Sequence, residues 1–481
     1  MWENGRNENA KNKADLSHWG LSLEAIASLG ERLQHFWRYY GQWTRTQTRN
    51  TRAYGLAYLS AMLRMKTERN MAEMARETGV AEKNMQHFMS HSPWSGMGLI
   101  AEVQRGIVRR SELAGGILVL DESADEKAGE ASAGAGRQYN GRLGKIEQSQ
   151  VGVYLAYAQD GLWTLWDGRL FLPEKWFSAS YAGRRAKAEI PDQRHFQTKI
   201  ELGWDLIAEA KAQGLSFVAV AFDALYGRSH WLREQCQQAA IEYYADIPAN
   251  YPLYLQEPII DYPLKKSGKP SKKFVVLGQT ALKASDLATL PQTYWQSIDL
   301  RPTERGQLQA DFASYQVWTV NPQGQVRQET LLMKREAQQI CYSLSNAPST
   351  RSLESLAQRK AQRYFVESSF QDAKSELGMD EFQAIKYQAW EHHLALTILA
   401  AWFIAETRLD WQKQFPRDPE FAEDDATDLL PKLSMANVRE LLRSTLPLRQ
   451  LSNQEAAALV VKHLDNRTRS RRSRLKTHPE H

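Results

Sequence analysis

The chain has 481 residues, 42% of them apolar, so it exceeds the usual size of one domain and can bury a sizeable core. This composition excludes wholesale disorder, and two cysteines are too few for a disulfide framework or a cysteine-based metal motif. The net charge of +5 permits a nucleic-acid partner without demonstrating one. Met1 to Leu16 has no apolar signal-peptide core, and the apolar run 394–405 is too short to span a bilayer. We therefore expect a cytoplasmic protein with no membrane partner.

Residues 1–110 are predicted to form a helical, DNA-binding N-terminal domain. Apolar residues recur at helical spacing over 21–40 and 54–65. The segment 71–88 has the pattern of a helix, a glycine turn and a second helix. A helix-turn-helix would place the second of these helices in a DNA groove. An ordinary helical hairpin explains the same pattern, and both interpretations stay open.

Residues 111–250 are predicted to form the first part of an α/β core. Short apolar runs indicate five strands, at 116–120, 151–158, 162–172, 216–222 and 241–247. A helical stretch over 192–213 separates the third strand from the fourth. Three strands, a helix and further strands is the order of an RNase H-like fold, a mixed sheet flanked by helices.

Residues 251–345 are predicted to form a β-rich insertion. Prolines punctuate short β-like runs at 274–277 and 315–320, and Asn321–Gly324 has the composition of a hairpin turn. We expect the core to resume at 346–410.

The rest of the chain is predicted to be mainly helical. A strongly helical segment at 351–377 is followed by a more apolar helix at 389–407. Residues 411–481 are predicted to form a helical region and a disordered basic tail. That tail contains Arg467, Arg469, Arg471 and Arg472.

Two aspartates follow apolar strands directly, and a glutamate lies on a charged helix face. Asp121 follows Leu118–Leu120, and Asp223 follows the run that ends at Phe222. If these strands are neighbours, both carboxylates project from one edge of the sheet. Strand-end or helix-capping acids are common, and Glu122 competes with Asp121 for the role.

Glu367 is the predicted third acid. At 100° per residue, it shares a helix face with Arg363 and Lys374. An acid that binds metal between two cations that meet phosphates would suit a phosphodiester substrate. A solvated face of i,i+4 ion pairs is the alternative. Phosphodiester cleavage can use two Mg²⁺ ions about 3.5–4 Å apart, and Mg²⁺ prefers carboxylate oxygens.

Three blocks carry a resemblance to a known family. The first is Leu118–Ser123, with Lys127–Gly129, Gly136–Lys145 and Gln150–Val153 downstream; the second is Ala221–Gly227. The third is the spacing of Arg363, Glu367 and Lys374. Over residues 55–405 the chain resembles bacterial insertion-sequence transposases of the DDE superfamily, in the branch with a β-strand insertion before the third acid. Lys360 is a departure, because related signatures have tyrosine there; it could still make an ionic contact with phosphate.

The resemblance implies a DNA transposase and strand transferase. Asp121, Asp223 and Glu367 would be the catalytic acids and would hold two Mg²⁺ ions, for which Mn²⁺ can substitute. The partners would be double-stranded DNA, as transposon terminal inverted repeats and target, and a second copy of the chain on that DNA. The expected reaction is cut-and-paste through a hairpin intermediate, in a bacterial protein associated with the nucleoid when DNA-bound. A domesticated nuclease and a non-catalytic DNA-binding regulator are the alternatives.

Further residues are predicted to contact DNA. Lys127, Arg137, Arg142 and Lys145 lie in a glycine-rich segment after the first aspartate, where cations would meet phosphates; a solvated loop is the alternative. The resemblance also implies that an aromatic residue of the insertion stacks on a flipped base, with Trp295 and Trp318 as candidates against plain core packing. His393 is expected to be structural or close to DNA, and not a metal ligand.

Overall fold

The structure is a computed structural model that describes residues 23–141, 143–159, 162–265, 267, 269, 271–303, 306–336, 339–363, 377–382, 384–414 and 435–445. Several predicted site residues lie outside these ranges. They are Arg142, Glu367, Lys374, Arg467, Arg469, Arg471 and Arg472.

The N-terminal part is helical, as the sequence predicts. Its helices are α1 (Leu23–Tyr40), α2 (Arg52–Arg64), α3 (Met71–Thr78), α4 (Glu82–Ser90) and α5 (Gly96–Val108). The Asn70 side chain accepts hydrogen bonds from two backbone N–H groups at the start of α3. Gly79 ends α3 with φ +71°, a left-handed conformation that favours glycine. The predicted helix, glycine turn and helix are therefore confirmed.

The core alternates strands and helices in the predicted order. Its strands are β1 (Gly116–Glu126), β2 (Gly136–Asn140), β3 (Lys145–Gln159), β4 (Leu162–Phe171), β5 (Phe217–Phe222) and β6 (Tyr243–Ile247). Its helices are α6 (Ala182–Lys187), α7 (Lys199–Ala212), α8 (Ala224–Gly227) and α9 (His230–Gln238). Strand β2 was not predicted from the sequence; it pairs with β3 within the glycine-rich basic segment.

One mixed sheet organises these strands. The order through the core is β4-β3-β1-β5-β6, with β2 also on β3. β1 is antiparallel to β3 and parallel to β5, which is parallel to β6. Helix α7 packs against β1, β3 and β4. This arrangement confirms the predicted RNase H-like fold.

The predicted insertion contains β7 (Pro252–Leu253), β8 (Ile259–Asp261), β9 (Val275–Leu277), β10 (Leu282–Lys283), α10 (Ala284–Leu287), β11 (Gln296–Thr303), β12 (Gly306–Val320), β13 (Val326–Arg335) and β14 (Ile340–Ser345). Its last four strands continue the core sheet in the order β11-β12-β13-β14, because β14 pairs antiparallel with β6. The predicted turn at Asn321–Gly324 joins β12 to β13, and Gly324 has φ +78°.

A buried ion pair joins the core to these strands. Both carboxylate oxygens of Glu329, on β13, lie 2.6 Å from Nη1 of Arg233, on α9. The hydroxyl groups of Thr319 and Tyr243 donate to the same carboxylate, and Arg233 Nη2 donates to the Tyr251 hydroxyl at 2.7 Å. Because a buried charge needs a partner, this network stabilises the junction only while both charges are present.

The remaining helices differ in part from the prediction. Those that the structure describes are α11 (Leu353–Ala361), α12 (Tyr387–Gln414) and α13 (Met435–Thr445). The predicted helix 351–377 is not continuous, since α11 ends at Ala361, two residues before Arg363. Helix α12 contains the predicted apolar helix, is buried over most of 394–405, and packs against β4, α2 and α5. Among the described residues, no helix is long and apolar enough to cross a membrane.

Candidate active site

The first two predicted acids lie beside each other on neighbouring parallel strands. Leu120 of β1 is in register with Phe222 of β5, so the residues that follow, Asp121 and Asp223, occupy equivalent positions at one edge of the sheet. In α/β sheets, ligands bind at the carboxyl ends of the parallel strands. The structure thus brings together two carboxylates at the edge where a ligand is expected.

The surroundings of these two acids differ. The pKa of Asp121 is raised to about 7, first by burial and then by the negative charge of Asp223, although a hydrogen bond from Glu122 N (2.7 Å to Oδ1) and the charge of Arg363 oppose the shift. Asp223 caps α8, where its Oδ1 accepts hydrogen bonds from Leu225 N (2.9 Å) and Tyr226 N (3.3 Å). Among the described residues, these bonds use one oxygen of each carboxylate.

Glu122, the competitor of Asp121, has a partner on α7. Successive side chains of a strand point to opposite faces, so Glu122 lies on the face opposite to Asp121. Its Oε1 accepts from Lys199 Nζ at 2.9 Å, and its Oε2 accepts from the Tyr226 hydroxyl at 3.3 Å. Because Lys199 compensates its charge, Glu122 suits a structural role better than Asp121 does.

A third aspartate, Asp246, lies at the same edge on β6. Its carboxylate forms ion pairs with Lys360 and Arg363, and Oδ1 accepts a hydrogen bond from Ser343 Oγ at 2.6 Å. Two of the cations predicted to bind phosphate therefore lie at the carboxyl edge of the sheet, held by an acid that was not predicted from the sequence. Lys360 is buried and Arg363 is half-buried.

Gly227 allows α8 to pack directly on Asp246. A Cβ atom at Gly227 would lie 1.9 Å from the backbone oxygen of Asp246. Only glycine permits so close an approach of two backbones. This contact fixes the turn that begins at Asp223 against the neighbouring strand β6.

The other predicted cations fall into two groups. Arg137 and Lys145 are exposed on the β2–β3 hairpin, where Lys145 Nζ lies 2.9 Å from Glu147 Oε2. Lys127 is buried instead, and its Nζ donates to the carbonyl oxygen of Phe382 at 2.8 Å. Burial lowers the pKa of Lys127. The Lys127 ammonium group therefore lies inside the protein and not on the surface of the hairpin, and its role in DNA binding stays a prediction.

The donors present fit a metal ion in part. Asp121 and Asp223 supply the carboxylate oxygens that Mg²⁺ prefers. A bound cation would also reduce the electrostatic repulsion between the two carboxylates. The part of the chain that the structure describes contains no group of three or more His, Cys, Asp or Glu side chains that could hold a metal. Glu367, the predicted third acid, lies outside that part.

Residues 38–307 match the family described as DDE superfamily endonuclease. The chain belongs to this family. The match ends before the segment with Glu367, so it covers Asp121 and Asp223 but not the predicted third acid. A DDE superfamily endonuclease is a nuclease, and divalent metal ions are typical of this superfamily.

The chain is also similar to a curated protein that is described as a probable transposase. The chain is 25% identical over 201 residues to a probable transposase for insertion sequence element IS701 from Microchaete diplosiphon. The aligned region is 40% of this chain and 47% of the relative, so the chain spans about half the length of that protein.

The two tryptophans proposed to stack on a base, and His393, all have contacts within this DDE-family chain. Trp295 is half-buried, with the Arg335 guanidinium 4.2 Å from its ring centroid. Trp318 is half-buried, and its backbone forms a β-bridge with Tyr254. His393 is buried between the Tyr58 hydroxyl (2.9 Å) and the carbonyl oxygen of Met379 (3.2 Å), which agrees with a structural role.

Asp246 is the site residue that sequence reasoning missed in this DDE-family core. The signal that selected Asp121 and Asp223, an apolar run ending in an acid, is also present at Tyr243–Ala245 followed by Asp246. Ile247 continues the apolar run after Asp246, which made the acid look internal to the strand.

Proposed function

We propose that this DDE-family chain is a transposase that cleaves the ends of a mobile DNA element and transfers them into target DNA. The observation that carries the proposal is the pair Asp121 and Asp223, side by side at the carboxyl edge of an RNase H-like sheet. Cut-and-paste movement through a hairpin intermediate is the form that the family resemblance favours.

Asp121 and Asp223 would hold divalent metal, and Glu367 would complete the site. When bound, two Mg²⁺ ions, or Mn²⁺ in their place, would lower the pKa of water and neutralise charge on the phosphate. The pKa of Asp121, raised to about 7 by burial and by Asp223, supports this proposal, because it marks negative charge that the described residues compensate only in part.

The cations nearby would bind and orient DNA. Ion pairs with Asp246 hold Arg363 and Lys360 beside the acids, where both cations would bind the phosphate at the cleavage site. Exposed Arg137 and Lys145 would contact the backbone further away. Arg142, Lys374 and the arginines of the tail remain proposed DNA contacts that lie outside the described residues.

The N-terminal helices offer a surface for recognition of the element ends. Helix α4 buries Met85, Phe88 and Met89 and exposes Lys83, Asn84, Gln86 and His87. These exposed side chains carry the donors and acceptors that read base edges or bind phosphate. We propose that α4 is the recognition helix of a helix-turn-helix and that two copies of the chain pair two ends. Trp295 or Trp318 would stack on a flipped base of a hairpin.

DNA cleavage tests the proposal directly. Purified protein is incubated with DNA that carries the inverted repeats flanking its gene, with Mg²⁺ or with EDTA. Asp121→Ala, Asp223→Ala and Glu367→Ala should each abolish cleavage and leave DNA binding intact. Asp311→Asn is the matched control, since Asp311 pairs with Arg335 at 3.6 Å in the insertion.

Each other outcome has a definite meaning. Specific binding of the repeats without cleavage by the wild-type protein would favour the non-catalytic regulator. Cleavage without strand transfer would favour a domesticated nuclease. Full cleavage by Glu367→Ala would show that another residue is the third acid.

A further inference from the structure

We propose that Asp246 is a positioning residue of the active site, which holds Lys360 and Arg363 where the scissile phosphate binds. The inference rests on the proposed function, because it assigns part of the same reaction. It adds an acid that is not one of the predicted catalytic residues. The role of this acid differs from theirs, because Asp246 would orient cations and would not hold metal.

The register of the sheet places Asp246 level with the other two aspartates. Phe222 of β5 pairs with Ala245 of β6, so Asp223 and Asp246 follow equivalent residues of adjacent parallel strands. Asp121 has the same relation to Asp223 across β1 and β5. The three carboxylates thus lie at one level on three neighbouring strands.

The contacts of Asp246 separate it from Asp121 and Asp223. It binds two cations, Lys360 and Arg363, through its two oxygens. Ser343, its cross-strand neighbour on β14, donates to the same Oδ1 that Lys360 contacts. An acid so engaged has less capacity for a metal ion and is well placed to fix the direction of the side chains that it binds.

Arg363 links this group to the metal-binding acids. Its positive charge is near enough to oppose the rise in the pKa of Asp121. The Asp246, Lys360 and Arg363 side chains together carry one positive charge, which suits a DNA phosphate next to two acids. Lysine and arginine side chains are long and lose much rotamer freedom when fixed, so a partner that fixes them in advance would favour the cleavage step.

The test is Asp246→Asn, which keeps the shape and removes the charge. We expect the cleavage rate at saturating element-end DNA to fall roughly 10- to 100-fold, as for other residues that orient catalytic groups. Affinity for the same DNA should stay equal or become tighter, because one negative charge is removed. Asp311→Asn should change neither quantity.

A double-mutant comparison shows whether Asp246 acts through Arg363. In an Arg363→Ala background, Asp246→Asn should lower the cleavage rate by less than about a further 3-fold, because the effects of substituting residues that act together are not additive. Ser343→Ala, which removes one hydrogen bond and no charge, should cause a smaller loss of cleavage in the same direction. It remains informative if Asp246→Asn does not fold.

Several results would overturn the inference. They are faster cleavage by Asp246→Asn, a loss of cleavage by this variant that is explained entirely by weaker DNA binding, and a loss of cleavage that adds to the loss caused by Arg363→Ala. Normal cleavage by Ser343→Ala together with an unfolded Asp246→Asn would also overturn it. If the wild-type protein cleaves and Asp246→Asn matches it, this inference alone fails. If the wild-type protein does not cleave, the proposed function fails and this inference fails with it.

Discussion

Asp121 lies beside Asp223 at the end of the parallel strands, where burial and then the negative charge of Asp223 raise the pKa of Asp121 to about 7. A buried carboxyl whose ionisation is opposed in this way makes the folded protein less stable at neutral pH. Sites that bind cations commonly contain such an arrangement, because the ligand relieves the repulsion.

Replacing one acid should therefore stabilise the metal-free protein. We expect Asp121→Asn to have a higher melting temperature than the wild type at pH 8 in EDTA, because the buried like-charge pair is removed. Adding MgCl₂ should raise the melting temperature of the wild type and leave that of Asp121→Asn unchanged. Asp311→Asn should behave as the wild type in both conditions. A metal-induced rise of equal size in Asp121→Asn would contradict the proposed ligand role.

Gly227→Ala should disturb the edge of the sheet. The new Cβ would lie 1.9 Å from the Asp246 backbone oxygen, so α8 or β6 must move. We expect a loss of about 1–3 kcal/mol of stability, typical of overpacking, and loss of cleavage because Asp223 begins the same turn. Gly129→Ala is the control, since a Cβ there meets nothing within 4 Å. Melting curves and cleavage assays of the two variants measure the difference, and equal behaviour would refute the contact.

Glu329→Gln should weaken the junction between the core and the insertion strands. It leaves the charge of Arg233 buried without its partner, which typically costs about 3–5 kcal/mol. Glu336→Gln is the surface comparison, because Glu336 pairs with Lys334 at 2.9 Å near solvent, where such pairs contribute roughly 0–1 kcal/mol. Urea midpoints and melting temperatures should fall clearly for the first variant and hardly for the second. Similar shifts for both would disprove the role of the buried pair.

Acid should destabilise the protein partly through buried histidines. Burial lowers the pKa of His393, His392 and His230 to about 4 from an ordinary value of 6.5. The unfolded chain then binds more protons than the folded one, so this contribution to stability is complete above pH 6.5 and is lost as the pH falls towards 4. His393→Gln should show a smaller fall in melting temperature between pH 7 and pH 4.5 than the wild type. His87→Gln, on the exposed face of α4, should show the wild-type fall; an unchanged slope for His393→Gln would argue against this assignment.

Local pattern predicts the parts of the site that local forces determine. The apolar runs before Asp121 and Asp223 mark buried parallel strands. Asp223 directly follows the end of β5, whereas β1 continues past Asp121 to Glu126 because it pairs with β3 over its whole second half. Asp246 depends on its partners Lys360 and Arg363, which are distant in the chain, and no pattern around Asp246 encodes that contact.

Tertiary contacts also explain where the sequence analysis was misleading. Lys127 lies in a glycine-rich cationic segment, which is typical of an exposed loop, yet the carbonyl of Phe382 draws it into the interior. Helix α11 ends at Ala361 although neither glycine nor proline follows directly. That end coincides with the ion pair of Arg363 and Asp246, a contact that helical periodicity does not contain.

The pairing of β14 with β6 has a mechanical consequence. The strand that carries Asp246 is hydrogen-bonded on one side to the strand preceding Asp223 and on the other to the strands of the insertion. The insertion cannot swing about a hinge at this seam without breaking backbone hydrogen bonds beside the acids. In the proposed transposase, closure over a DNA end would therefore have to come from an element other than these insertion strands, which keep a constant spacing from the acids.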